Sequence, residues 1–100
     1  MTSVEDTGDV EVVDNPNARR WEIYVGGEFA GLLNYRDDGD RVTYIHAEIY
    51  PRFEGQGLAS RMVKAALDSA IGDGKKIVPR CPFVADFVAD NPSYAEHVAG

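Results

Sequence analysis

Over residues 20–25 the apolar side chains fall on alternate positions: Trp21, Ile23 and Val25 interleave with Arg20, Glu22 and Tyr24. A period of two sends successive side chains to opposite faces of a strand, so this stretch is predicted to be extended. The Gly26-Gly27 pair that follows suits a two-residue hairpin turn. A second strand runs to about Tyr35. The "DDGD" stretch then supplies another turn, where Gly39 can take positive φ and the aspartates can accept hydrogen bonds from backbone amides. In the third strand, alternation puts Ile45, Ala47 and Ile49 on one side and Tyr44, His46 and Glu48 on the other.

After Pro51 the spacing lengthens. Leu58, Met62, Val63, Ala66, Leu67, Ala70 and Ile71 recur at three- and four-residue intervals, while Arg61, Lys64, Asp68 and Asp73 fall outside that stripe. This predicts an amphipathic helix over about residues 57–71, ended by "GDGKK". "KIVPRCPF" reads as a short strand that Pro79 and Pro82 keep from pairing along its whole length. From Phe83 the spacing of Val84, Phe87 and Val88 is again helical, Asn91-Pro92 breaks it, and "SYAEHVA" has room for a further turn or two. Three hairpin-linked strands, a long helix, a short strand and a terminal helix predict an α/β (α+β) fold. It is a two-layer sandwich with a mostly antiparallel sheet.

The first sixteen residues are acidic and poor in large apolar groups, so both a flexible arm (residues 1–16) and an edge strand at "VEVV" fit them. Residues 17–100 then form a single domain, the size that 100 residues allow. A hydrophobic content of 44% excludes a chain disordered by composition. The formal charge of -7 argues against a surface built to neutralise nucleic-acid phosphates, though backbone amides can still bind a small anion locally. No basic start leads into an apolar core and no apolar run is long enough to span a membrane, so a cytoplasmic protein is expected. Cys81 is the single cysteine, which rules out an intrachain disulfide and a cysteine-rich zinc site; His46 and His97 alone do not suggest a metal. A domain this small has little surplus stability, so a bound ligand or a homodimer partner is expected to contribute.

The candidate chemistry begins at residues 46–60, "HAEIYPRFEGQGLAS", where two glycines separated by one residue open directly into the helix. Gly55 and Gly57 let the backbone curl closely around an anion, and the amides from Gln56 to Ser60 lie at the positive end of the helix. Arg52 adds a cation suited to a phosphate. No Gly-Lys-Ser/Thr follows, so this is not a P-loop, and hairpin-linked strands do not fit a dinucleotide fold. A plain glycine-rich connection between a strand and a helix is the alternative.

These residues, with "GEFAGLLNY", "KIVPRCPFVADFV" and the final "NPSY", closely resemble the GCN5-related N-acetyltransferase superfamily, in particular its minimal branch of predicted acetyltransferases. The resemblance runs from about residue 20 to residue 98. It implies the compact acyl-CoA N-acyltransferase fold and acetyl-CoA (coenzyme A) as cofactor. It also implies transfer to an unidentified primary amine, on a small molecule or a protein. By the same resemblance Ile49 offers contacts to the pantetheine arm. Arg52, Phe53, Glu54, Gly55, Gln56, Gly57, Leu58, Ala59 and Ser60 form the pyrophosphate loop, and Pro79 to Phe83 flank the acyl end. The chain lacks the N-terminal helical region of larger members, so the amine site is expected to be open or completed by a partner.

Transfer to an amine needs a base, a polarised carbonyl and a proton for the leaving thiolate. Glu48 and His46 share a strand face and are both candidates for the base, directly or through water. Cys81 is a candidate acyl carrier, a wall of the acyl pocket, or plain packing. Tyr94 is a candidate acid, or a ring packed on the last strand. The reading adopted is an N-acetyltransferase acting by direct transfer; the alternative is a non-enzymatic acyl-CoA-binding or protein-interaction module.

Overall fold

The computed structural model describes residues 3–7 and 9–99, with side chains from residue 9 onward. The three expected strands form: β3 (Arg20–Val25), β4 (Glu28–Asp37) and β5 (Arg41–Ile49) pair antiparallel in succession. Both glycines of the first turn, Gly26 and Gly27, have positive φ, as does Gly39 in the second, where Asp37 accepts from the Gly39 amide at 2.9 Å. Two further strands precede them, β1 (Ser3–Thr7) and β2 (Val10–Asn15), and β6 (Lys76–Pro79) follows. The six lie in chain order, antiparallel except for the parallel pair β5–β6. The "VEVV" stretch is thus a strand between β1 and β3, not at the sheet edge, and Val12 and Val13 are fully buried.

Helix α1 (Leu58–Gly72) packs its apolar stripe against five of the strands. Leu58, Met62, Val63, Ala66, Leu67 and Ala70 are buried with Val12, Ile23, Leu33, Tyr44 and Ile77. Helix α2 (Pro82–Asp90) touches α1, β5 and β6, and a 3-10 turn at Pro92–His97 returns the chain so that Val98 bridges Ile77 on the outer side of β6. None of the helices formed by the described residues is long and apolar enough to cross a membrane.

One prediction fails within β5. Tyr44 is 1% exposed and Ile45 is 51% exposed, the reverse of the expected phase for these two. Asn34 pairs with His46 while Tyr35 pairs with Tyr44, so β5 carries one extra residue, Ile45, opposite β4. Such a bulge shifts the side-chain phase by one position. Val42 and Tyr44 therefore face α1, where the Tyr44 hydroxyl donates to the Ala66 carbonyl at 3.2 Å. Beyond the bulge Ala47 and Ile49 face the same way, and His46 and Glu48 point to the other side.

Candidate active site

The end of β5 forms one wall of a cavity of about 360 Å³, contributed by Ala47, Glu48 and Ile49. Its close fit to β4 depends on Gly31: a Cβ there would collide with the Glu48 carbonyl and with Ile49. The chain then makes a 3-10 turn at Pro51–Phe53, which buries Phe53 to 7% exposure and places it in the cavity wall. Glu54, Gly55, Gly57, Leu58, Ala59 and Ser60 continue that wall, and Phe83 closes the far side from the first turn of α2.

Gly55 and Gly57 have φ of +82° and +72°, and a Cβ at either would meet no protein atom within 4 Å. The glycines are thus required by backbone conformation, and the space over them is open to a ligand. Gly57 is the N-cap of α1, so it offers no side chain to the helix amides, and the first turn holds no acidic residue. The first intrahelical bond recorded there runs from the Arg61 amide to the Gly57 carbonyl, 3.3 Å. The amides of Leu58, Ala59 and Ser60 have no place in the intrahelical ladder, because the first turn lacks preceding carbonyls. Those three residues border the cavity, where the positive end of the helix favours an anion. Its volume lies in the roughly 300–1,000 Å³ range of small-molecule sites. Amide donors at one end and apolar Ile49 and Phe83 nearby fit a ligand with a phosphate group and an extended, weakly polar arm.

The far wall exists because β6 is short. Strands β5 and β6 pair only from Arg41 with Lys76 to Tyr44 with Pro79; then the Cys81 amide donates to the Tyr44 carbonyl at 2.8 Å and the chain turns into α2. Beyond Tyr44, β5 continues without β6 as its partner.

The residues expected from sequence separate into two groups. Ile49, Phe53, Glu54, Gly55, Gly57, Leu58, Ala59, Ser60 and Phe83 line the cavity, as does Glu48; Arg52, Gln56 and Pro79 do not. Glu48 accepts or shares a hydrogen bond with His46 Nε2, 3.2 Å from its Oε1, and both side chains are exposed. Cys81 is 3% exposed, sits at the N-cap of α2 and is absent from the cavity lining. The Tyr94 hydroxyl donates to Asp68 Oδ1 at 2.7 Å. Asp68 lies ten residues along α1 from Leu58, about 15 Å at the helical rise, so Tyr94 is not gathered with the other candidates. Ala47 is a wall residue that the site reading missed, although its alternation with Ile49 on β5 was visible.

On the helix-free face of the sheet, ladder pairing sets Glu22, Leu32 and Glu48 in one row and Arg20, Asn34 and His46 in the next. Glu22 is only 3% exposed yet ionisable. Burial alone would raise its pKa, but hydrogen bonds from Arg20, Tyr24 and Asn15, at 2.7, 2.8 and 3.1 Å, hold the carboxyl below its ordinary value.

A sheet whose last two strands part beside an amide-lined loop, with a helix starting from that loop, is the architecture of acyl-CoA-dependent N-acyltransferases. The fold is shared over 94% of this chain and 92% of its counterpart with the solution structure of a GCN5-like putative N-acetyltransferase from Staphylococcus aureus, at a TM-score of 0.69 and 20% identity. It also matches a ribosomal-protein-alanine N-acetyltransferase from Brucella melitensis biovar Abortus 2308, at a TM-score of 0.55 and 17% identity, covering 94% of this chain and 64% of that one. The chain belongs to the GCN5-related N-acetyltransferase family, whose model matches residues 20–98. It is also similar to Protein NATD1 of mouse, 26% identical over 93 residues (91% of this chain, 84% of the relative), and of chicken, 27% identical over 93 residues (89% and 84%). Membership carries acetyl-CoA-dependent N-acetyltransferase activity on an amine, and with it the binding of acetyl-CoA in general terms.

Proposed function

We propose that the amides of Leu58, Ala59 and Ser60, with the backbone around Gly55 and Gly57, hold the pyrophosphate of acetyl-CoA, and that Ile49 and Phe83 flank its pantetheine arm. The observation that carries this reading is the helix start without a side-chain cap, opening into the cavity. Acetyl-CoA, when bound, supplies the acetyl thioester. The protein's own part is to orient that ligand and to take a proton from the acceptor amine, which is otherwise an ammonium and no nucleophile. The pair His46 and Glu48 is suited to the second task. Glu48 borders the cavity, His46 is hydrogen-bonded to it, and their exposure leaves a path for the proton to solvent. Cys81 contributes by position, since its backbone ties the start of α2 to the end of the β5–β6 pairing while its side chain is buried. An exposed base and a buried thiol support direct transfer, which we assign to a primary amine on a small molecule or a protein.

Incubation of the protein with acetyl-CoA and a panel of amines and peptides, following product mass and free CoA together, tests the reading. Acetylated product should form in step with CoA release, and H46A and E48Q should each slow single-turnover transfer about 10²-fold or more, in the range of a lost general base. A kinetically competent acetyl-Cys81 species, with transfer abolished in C81A, would replace direct transfer by a covalent route.

A further inference from the structure

Arg52 was expected to face a phosphate, yet its guanidinium is engaged elsewhere. Its Nη2 donates to Glu28 Oε2 at 2.7 Å, and both side chains are exposed. Glu28 begins β4, directly after the Gly26-Gly27 turn, so the pair joins the β3–β4 hairpin to the turn that enters the glycine loop. The guanidinium carbon also lies 4.8 Å from the centroid of the Phe53 ring. Phe53 is buried and forms part of the cavity wall. Arg52 is therefore stacked on a ring of the wall itself, outside the cavity lining, with its charge matched by a carboxylate.

That arrangement is poised for exchange. An exposed ion pair is worth little, at most about fivefold in an equilibrium constant. A phosphate offers the guanidinium more charge and a bidentate set of oxygens. Once released, Glu28 returns to water at little cost because it is already exposed. We propose that Glu28 is a displaceable counter-ion for Arg52: the phosphates of the bound cofactor take Arg52 from it, and Glu28 reclaims Arg52 as product CoA leaves. Glu28 is then a positioning residue that acts through Arg52. It weakens cofactor binding modestly and keeps cofactor exchange fast, which matters wherever product release limits turnover. The inference rests on CoA occupying the glycine loop.

The test is a double-mutant cycle on the full chain, with wild type, E28Q, R52Q and E28Q/R52Q titrated with CoA by calorimetry. CoA dissociation is followed by stopped flow, and thermal melts confirm that each variant folds. E28Q should bind CoA about threefold more tightly, through slower dissociation, and R52Q more weakly than wild type. In the R52Q background the E28Q change should have little further effect, because no guanidinium remains to be freed. CoA binding by E28Q that is equal to or weaker than wild type would overturn the inference. So would an equal gain in the R52Q background, which would show only long-range repulsion between Glu28 and the anion. Failure of the wild type to bind CoA would instead overturn the parent reading of the loop, and this inference with it.

Discussion

Two residues show how local chemistry is tied to stability and to binding. Glu22 has its carboxyl pKa lowered from 4.5: desolvation pushes it upward, and the three hydrogen bonds together with the Arg20 charge outweigh that push. A lowered folded pKa contributes stability that is present above the unfolded value and is lost as pH falls through the folded value. Chemical denaturation from pH 7 down to pH 3 (about 1.5 units below the usual Glu value) should therefore show wild-type stability declining below 4.5. E22Q should lose about 1–2 kcal/mol at neutral pH and show a shallower acid decline. An unchanged acid profile in E22Q would remove Glu22 from the explanation. Gly57 separates strain from occlusion, because its positive φ disfavours side chains while the space over it is open. G57A should cost about 1–2 kcal/mol. Asparagine tolerates the left-handed region, so G57N should recover most of that stability yet still bind CoA more weakly than wild type. Wild-type affinity in a folded G57N would mean that the ligand does not approach this amide.

At the scale of elements, the bulge at Ile45 decides what β5 presents on either side. Without the extra residue a single alternation would run from Val42 to Ile49; if Val42 and Tyr44 faced α1, His46 and Glu48 would face it too. With it, both halves of the strand turn apolar side chains to α1, and His46 and Glu48 reach the helix-free face. Ile45 itself is left in solvent, 51% exposed. I45T should therefore change unfolding free energy by no more than about 0.5 kcal/mol, the ordinary range for a surface substitution. An inward Ile45 would have made the same change cost several times as much, and denaturant midpoints distinguish the two outcomes. The short β6 has the complementary role. Its pairing with β5 ends at Pro79, and Pro82 occupies the first turn of α2, so the two strands part where the cavity needs its far wall.

At the scale of the molecule, a 100-residue domain with one sheet and one main helix layer has a modest core, and a ligand that binds only the folded state adds to its stability. CoA at a hundred times its dissociation constant should add about 2.7 kcal/mol. For a domain of this size that raises Tm by roughly 10 °C. Differential scanning fluorimetry with and without CoA measures this, and G57N, folded but weakened in binding, should show a much smaller rise at the same CoA concentration. A rise in G57N equal to that of wild type would place CoA away from the loop. The formal charge of -7 sets the background against which an anionic ligand must bind, which makes the locally positive helix start and Arg52 the more important.

What the sequence determined by itself was whatever depends on local pattern. Period-two alternation specified β3, and the paired glycines specified the turn that joins it to β4, because positive φ at both positions gives that turn a twist matching the strands. Apolar residues at three- and four-residue spacing specified α1 to within a residue or two. The glycines of the loop were also legible, since positive φ is a property of the backbone at those positions. Tertiary structure decided the rest. The phase of β5 turned on a register shift against β4, which no pattern within β5 encodes. The role of Gly31 lay in a close approach between two strands, invisible until they were paired. Arg52 has its place in the motif, but the hairpin that carries Glu28 sets its partner in the structure, and Tyr94 is drawn to Asp68 on α1. Those contacts join residues 24 and 26 positions apart, and short-range periodicity carries no information about pairings at such separations.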